Sequence, residues 1–264
     1  MPSAPASSAV VVGDELLKGQ TQDTNTFWLA QRLHALGYPL HRVHTIGDSH
    51  EEIVRWVRVE MEGEAVAVFV CGGLGPTPDD RTLAALADAT GRAAELDEQA
   101  RDHIQLRIDW LHGTGRIPTN EMSEANRRMA LIPRGAVVLN NSIGMAPGLA
   151  IRISPDTEPA RHIFVLPGVP REFRTIFDEE IAPTYLGYGE PHTVEEVHYD
   201  MAIEAEFWKV LRRVEQEFTD LSVGSYPQPD RGHLIIRVSG VDPKRVHEAA
   251  QLVRAEGPGV LRDP

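Results

Sequence analysis

Short, unbroken apolar runs constrain this chain most. Ala9 to Val12 (AVVV), Ala65 to Cys71 (AVAVFVC) and His162 to Leu166 (HIFVL) show no alternation of polar and apolar residues. A strand with one wet face alternates with a period of two, whereas a strand apolar throughout is covered on both sides. Leu40 to Ile46, Ala136 to Leu139 and Leu149 to Ile153 are further strand candidates. Helical patterns separate them. Phe27, Leu29, Ala30, Leu33 and Leu36 share one face of a helix over Thr26 to Leu36, stopped by Gly37. Ser49 caps a helix from Glu51 to Met61, with Glu52 completing a capping box. Further helices are predicted from about Pro78 or Asp79 to Thr90, over Asp97 to Leu111, over Thr119 to Leu131, and from Pro170 to Ile181. Strand and helix alternating in this way predict an α/β domain, with a mostly parallel sheet covered by helices on both faces.

The pattern changes at GYGEPH, which starts at Gly187 and reads as a linker. A strand (Val194 to Asp200), a helix (Glu204 to Phe218), a strand pair (Leu221 to Tyr226 and Leu234 to Val238) and a helix (Pro243 to Arg254) follow. The expected organisation is a larger domain over 9–186 and a small α+β domain over 191–264. The small domain carries no evident chemistry and reads as a packing or dimerisation module.

The 264 residues carry a net charge of −13, which repels nucleic acid and anionic membrane surfaces, so neither is expected as a partner. No apolar run reaches the roughly 18 residues of a membrane span. The polar start, MPSAPASS, reads as a frayed tail without signal-peptide character. Cys71 is the single cysteine, so neither an intramolecular disulfide nor a thiolate zinc site can form, which fits a reducing cytoplasm. HExxH, GxSxG, P-loop and complete dinucleotide-binding signatures are all missing.

Chemistry concentrates in three loops that follow strands. In open α/β sheets ligands bind beyond the carboxyl ends of the strands, so loops far apart in sequence can meet there. GDELLKGQTQDTN contributes Gly13, Asp14, Glu15 and Asn25; two carboxylates at the mouth of a buried strand need a base, a ribose or a metal as partner, while Asn25 also suits a helix cap. GGLGPTPDD contributes Gly72, Gly73 and Gly75, whose backbones can approach an anion, then Asp79 and Asp80 at a helix start, with Thr82 beside them. A single aspartate there would serve as a cap; two suit a hard divalent cation that bridges phosphate oxygens. PGVP places Pro167 and Gly168 before a helix starting at Pro170, and is equally a plain turn. Cys71 reads as a small core residue.

These loops, together with NNSIGMAPG and LPGVPREF in the same order, resemble the molybdopterin-binding-like domain of the CinA (competence/damage-inducible protein A) family. The first loop, through TQDTNTFWL, is also similar to the N-terminal domain of eukaryotic FAD synthetases. The resemblance covers about residues 9–185, and the VGSYP stretch is similar to the small middle domain of CinA proteins. It implies a three-layer α/β/α fold and metal-dependent hydrolysis of a dinucleotide pyrophosphate of ADP-ribose or FAD type, with Mg, Mn or Co as cofactor. More distant relatives bind and adenylylate molybdopterin, which leaves a molybdopterin-binding or adenylyl-transferring protein, or a non-catalytic nucleotide-binding module, as alternatives. By resemblance Asp79 and Asp80 are catalytic and hold the metal. Gly13, Asp14, Glu15, Asn25, Gly72, Gly73, Gly75, Thr77, Thr82, Asn141, Gly148, Pro167 and Gly168 line the pocket for a nucleotide or pterin phosphate. Met145 stands where the family has a small hydroxyl residue. The pyridine-nucleotide deamidase and FAD-synthetase transferase domains of longer relatives have no counterpart in these residues, and a homo-oligomer is implied.

Overall fold

The computed structural model describes residues 6–154, 160–187, 190–200 and 202–262. Residues 1–5 of the expected tail and positions 188–189 of the expected linker lie outside them. The chain divides into two compact units, Met1–Gly189 and Glu190–Pro264.

The first unit alternates strands β1 (Ser7–Val12), β2 (Leu40–Ile46) and β3 (Ala67–Cys71) with helices α1 (Asp14–Leu17), α2 (Asn25–Ala35), α3 (His50–Glu62) and α4 (Thr82–Thr90). It continues with β4 (Ala94–Leu96), α5 (Glu98–Gly113), α6 (Glu124–Arg128), β5 (Leu131–Pro133), β6 (Val137–Leu139), β7 (Gly148–Ser154), β8 (Arg161–Leu166), α7 (Pro170–Ile176), a π-helical turn (Phe177–Ile181) and α8 (Ala182–Tyr185). The six-stranded sheet has the order β2-β1-β3-β8-β7-β6. β2, β1, β3 and β8 run parallel, and β7 runs antiparallel to both its neighbours. That reversal follows from chain length. Six residues separate β7 from β8, too few for the dozen or more that a parallel crossover needs.

The unbroken apolar runs are explained by the layers. Val10, Val12, Val68, Val70, Ile163 and Val165 face one core, closed by Ile53 and Val57 of α3, Leu86 of α4, and Ile104 and Ile108 of α5. The alternate residues Ala9, Ala67, Phe69, Cys71, Phe164 and Leu166 face a second core, closed by Leu29 and Leu33 of α2, Phe173 and Ile176 of α7, and Phe177 and Ile181. This is the expected three-layer arrangement.

Three expectations need correction. The helix expected over Thr119 to Leu131 shrinks to α6, and Leu131 to Pro133 instead pairs antiparallel with β4 as a separate two-stranded sheet. Ser123 caps α6 by accepting from the Asn126 N–H, so the helix cannot start earlier, and three-residue strands are too short to show a period. The helix expected from Pro78 or Asp79 starts at Thr82, with Arg81 as its N-cap. The helix expected from Pro170 to Ile181 passes into the π-helical turn after Ile176.

The second unit runs β9 (Thr193–Asp200), a 3-10 turn (Glu204–Phe207), α9 (Trp208–Glu217), β10 (Ser222–Gln228), β11 (His233–Gly240), α10 (Pro243–Glu256) and β12 (Val260–Leu261). The two-residue β12 is an addition to the expected order. The antiparallel sheet, β10-β11-β9-β12, buries Val197, Tyr199, Leu234, Ile236 and Val238 against Phe207, Val210 and Val214, and against Val246, Ala249 and Val253 of α10.

Candidate functional site

The carboxyl ends of the four parallel strands are stitched together. After β1, the Gly13 N–H donates to Ile46 O at 3.0 Å, and the Asp14 N–H donates to Asp48 Oδ2 at 3.1 Å, which ties the loop after β1 to the end of β2. After β3, the Gly72 N–H donates to Leu166 O of β8 at 3.0 Å. Asn25 Nδ2 donates to Gly168 O at 2.8 Å, joining the start of α2 to the loop after β8. An ideal Cβ on Gly168 would lie 3.6 Å from Gly72 Cα, so a side chain there would just touch the loop after β3. Between them lies a cleft of about 490 Å³, within the roughly 300–1,000 Å³ of small-molecule sites.

Ten of the expected residues line that cleft: Gly13, Glu15, Asn25, Gly72, Gly73, Gly75, Asp79, Asp80, Pro167 and Gly168. Five do not, each for a visible reason. Asp14 accepts from Lys18 Nζ at 2.7 Å and is half exposed; that ammonium holds its carboxyl below the usual carboxylate range. Thr77 serves the turn, donating its N–H to Asp80 Oδ2 at 2.8 Å. Thr82 is fully buried and donates its hydroxyl to Gly72 O at 2.8 Å. Asn141 is fully buried; its Nδ2 donates to Ala146 O and to Glu172 Oε2, and its Oδ1 accepts from the Gly144 N–H at 2.8 Å, so it shapes the 141–146 loop from behind. Gly148 lies inside β7, where a Cβ would stand 2.9 Å from Ile176 Cγ2.

The glycine loop is built for close packing as well as for any ligand. Gly72 (φ 98°) and Gly73 (φ 66°) occupy the left-handed region that favours glycine. A Cβ on Gly72 would overlap Val12 O, and one on Gly73 would overlap Thr82 Oγ1. The Thr82 N–H donates to Gly73 O at 3.2 Å, so the start of α4 sits directly on the loop. On Gly75 a Cβ would stand 2.6 Å from Asp80 Oδ2. Asp80 is thus seated in the Thr77–Asp80 turn. The Thr77 hydroxyl, followed by a backbone hydrogen bond, also holds Asp79 below the usual carboxylate range. Asn25 is not the cap of α2: Asp23 Oδ1 accepts the N–H groups of Asn25 and Thr26, each at 3.0 Å. Cys71 is buried and accepts from Asn25 Nδ2; burial pushes its thiol up to about 12.

Asp23, Asp48, Glu172, Met129 and Met145 also line the cleft, beyond the residues expected there. Asp48 has a sequence signal: β2 ends in Ile46-Gly47-Asp48 just as β1 ends in Val12-Gly13-Asp14, and adjacent parallel strands end side by side. Glu172 has one too, as the acidic residue in the first turn of the helix opened by PGVP.

Electrostatically the cleft is one-sided. Glu15, Asp23, Asp48, Asp79, Asp80 and Glu172 are among its lining residues, and no Lys, Arg or His is, among the described residues. The donor set is all oxygen, which suits a hard divalent cation such as Mg or Mn. Among the described residues no three His, Cys, Asp or Glu side chains converge to form a ready-made cage. The residues therefore fit a cation that takes one or two carboxylates, with Asp79 and Asp80 nearest the glycine turn, and completes its shell with phosphate oxygens and water.

A mostly parallel sheet between two helical layers, with its cleft beyond the strand ends, defines a small-molecule-binding α/β domain of the molybdopterin-binding-like class. Residues 8–186 match the family described as a probable molybdopterin binding domain. A Pyrococcus horikoshii protein is 38% identical over 66% of this chain and 66% of its own length. A CinA-like protein of Geobacter sp. is 33% identical over 94% of this chain, and this chain covers 57% of its length. The crystal structure of CinA from Thermoplasma acidophilum, a protein described as of unknown function, superposes with a TM-score of 0.56 at 30% identity, covering 67% of this chain and 95% of that one. The chain belongs to the molybdopterin-binding-domain family, in its CinA branch. Among the described residues no helix is long and apolar enough to cross a membrane.

Proposed function

We propose that the cleft takes a pyrophosphate-linked nucleotide of ADP-ribose or FAD type, together with a divalent metal, and hydrolyses the pyrophosphate. One observation carries this reading: glycine backbones suited to a phosphate lie in a wall that holds six acidic residues and, among the described residues, no cationic one. A bare phosphate ester would be repelled there, whereas its magnesium complex brings the compensating charge. The metal would polarise the phosphoryl group and lower the pKa of a bound water. This chain's own part is placement. Gly73 and Gly75 present backbone N–H groups to the phosphate, Asp79 and Asp80 orient the cation, and Glu15 and Asp48 line the cleft from the chain just after β1 and β2.

The test is release of AMP from ADP-ribose and FAD across Mg²⁺, Mn²⁺ and Co²⁺. Asp80→Asn keeps an acceptor for the Thr77 N–H, so the variant should fold normally while losing on the order of 10²-fold or more in turnover. Unchanged turnover in Asp80→Asn would remove the assigned role. The second reading, binding or adenylylation of molybdopterin, is favoured by the description of the matched family. It predicts pterin binding with no AMP release from any dinucleotide. Nucleotide binding without turnover under any metal would instead mark a non-catalytic module. The CinA resemblance also supports a homo-oligomer, which light scattering measures directly.

A further inference from the structure

The cleft has a second character that phosphate and metal do not use. Leu74 (4% exposed), Met129 (3%) and Ala146 (8%) belong to one buried apolar cluster, and Met145 packs on it partly exposed. All four also line the cleft, so this cluster surfaces in its wall beside Gly73 and Gly75. Apolar surface in a ligand cleft is stabilised when water leaves it; a phosphate supplies none of that cover and a hydroxylated sugar little. The two thioethers add a chemical preference. Methionine sulfur is polarisable, its side chain adapts to irregular shapes, and it packs favourably against aromatic rings. The elements that carry them differ: Met129 follows α6, Met145 sits in the loop between β6 and β7, and Leu74 follows β3. Asn141, which accepts from the Gly144 N–H and donates to Ala146 O, fixes the backbone on both sides of Met145.

We infer that this methionine-bearing wall is a subsite for a planar heteroaromatic ring attached to the phosphate, and that Met145 is its specificity-determining contact. The inference rests on the phosphate-and-metal reading of the cleft and adds which part of the ligand the apolar wall receives. A purine, a flavin and a pterin share the required chemistry, namely a flat, polarisable face. A phosphorylated sugar without a ring of that kind does not have it.

The experiment is calorimetric binding, in the presence of Mg²⁺, of AMP, FMN and ribose 5-phosphate to the full chain and to Met145→Ser and Met145→Leu. The wild-type protein should bind at least one of AMP and FMN more tightly than ribose 5-phosphate. Met145→Ser should weaken the preferred ring-bearing ligand on the order of fivefold and leave ribose 5-phosphate unchanged. Met145→Leu, which keeps the apolar area, should retain most of the preference. Met145→Leu should melt with the parent and Met145→Ser somewhat lower, because Met145 packs partly buried on the core; both should be fully folded at the temperature of the titration. Equal binding of all three ligands by the wild type, or an equal loss for all three in Met145→Ser, overturns the ring subsite and leaves the phosphate reading standing. No binding of any of the three overturns both. A preference for AMP over FMN, or the reverse, supports the subsite and tells which ring the wall accepts.

Discussion

At single residues, the loop after β3 depends on atoms that admit little substitution. Gly73→Ala would force an L residue into φ 66° and press its Cβ onto Thr82 Oγ1. Strain at a left-handed position alone costs about 1–2 kcal/mol, and the overlap adds to it, so a fall in melting temperature is expected. Thr82→Val keeps the shape but removes the only side-chain donor to Gly72 O shown for that residue. A buried carbonyl left unpaired costs about 1–3 kcal/mol, readable as a lower urea midpoint at unchanged slope. Cys71 offers a separate check. Its thiol is pushed from 9.0 to about 12 by burial. Between those values the folded protein keeps a proton that the unfolded chain has lost, so this group's stabilising contribution is complete below about pH 9 and is lost as pH rises toward 12. Native protein should resist thiol reagents at pH 8 and react only on unfolding. Cys71→Ala should show a shallower alkaline loss of stability than the parent.

At the scale of elements, legibility in the sequence depends on length and period. β1, β3 and β8 announce themselves because the doubly covered stretches Ala9–Val12, Ala67–Cys71 and Ile163–Leu166 are unbroken apolar runs, and α3 because Ser49 and Glu52 mark its start. β4, β5 and β12 escape, since two or three residues carry no period. The antiparallel turn of β7 is legible in principle from the short stretch before β8, but an apolar run alone does not state its direction. The site follows the same logic. Glycines and carboxylates in the loops after strands make up eight of the ten expected residues that line the cleft, because the end of a parallel strand fixes location without tertiary knowledge. Side-chain direction is not fixed in that way. Asp14 sits at the right loop yet points to Lys18, and Thr82 and Asn141 sit at the right loops yet brace them from behind. Met129 and Met145 are illegible as a pair, since elements distant in the chain bring them to one wall.

For the whole molecule, charge decides between two kinds of phosphate site. A basic site binds anions through attraction that salt screens, so its affinity falls as salt rises. The present chain carries −13 overall, and the cleft wall holds six acidic residues without a cationic one among those described. In the absence of divalent metal the field at the cleft opposes an incoming phosphate. Monovalent salt shortens the screening length from about 30 Å at 0.01 M to about 8 Å at 0.15 M and so weakens that opposition. Metal-free AMP binding should therefore be weak at low salt and should strengthen as KCl rises over that range, opposite in sign to a basic phosphate site. With saturating Mg²⁺ the complex carries its own compensating charge, so binding should strengthen markedly at low salt and its dependence on KCl should flatten. Chelation with EDTA should restore the metal-free behaviour. Isothermal titration across a KCl series, with and without Mg²⁺, measures both slopes. A metal-free affinity that falls steeply with KCl would mean that cationic side chains, rather than a metal, receive the phosphate, and Asp79 and Asp80 would lose their place as the cation's ligands.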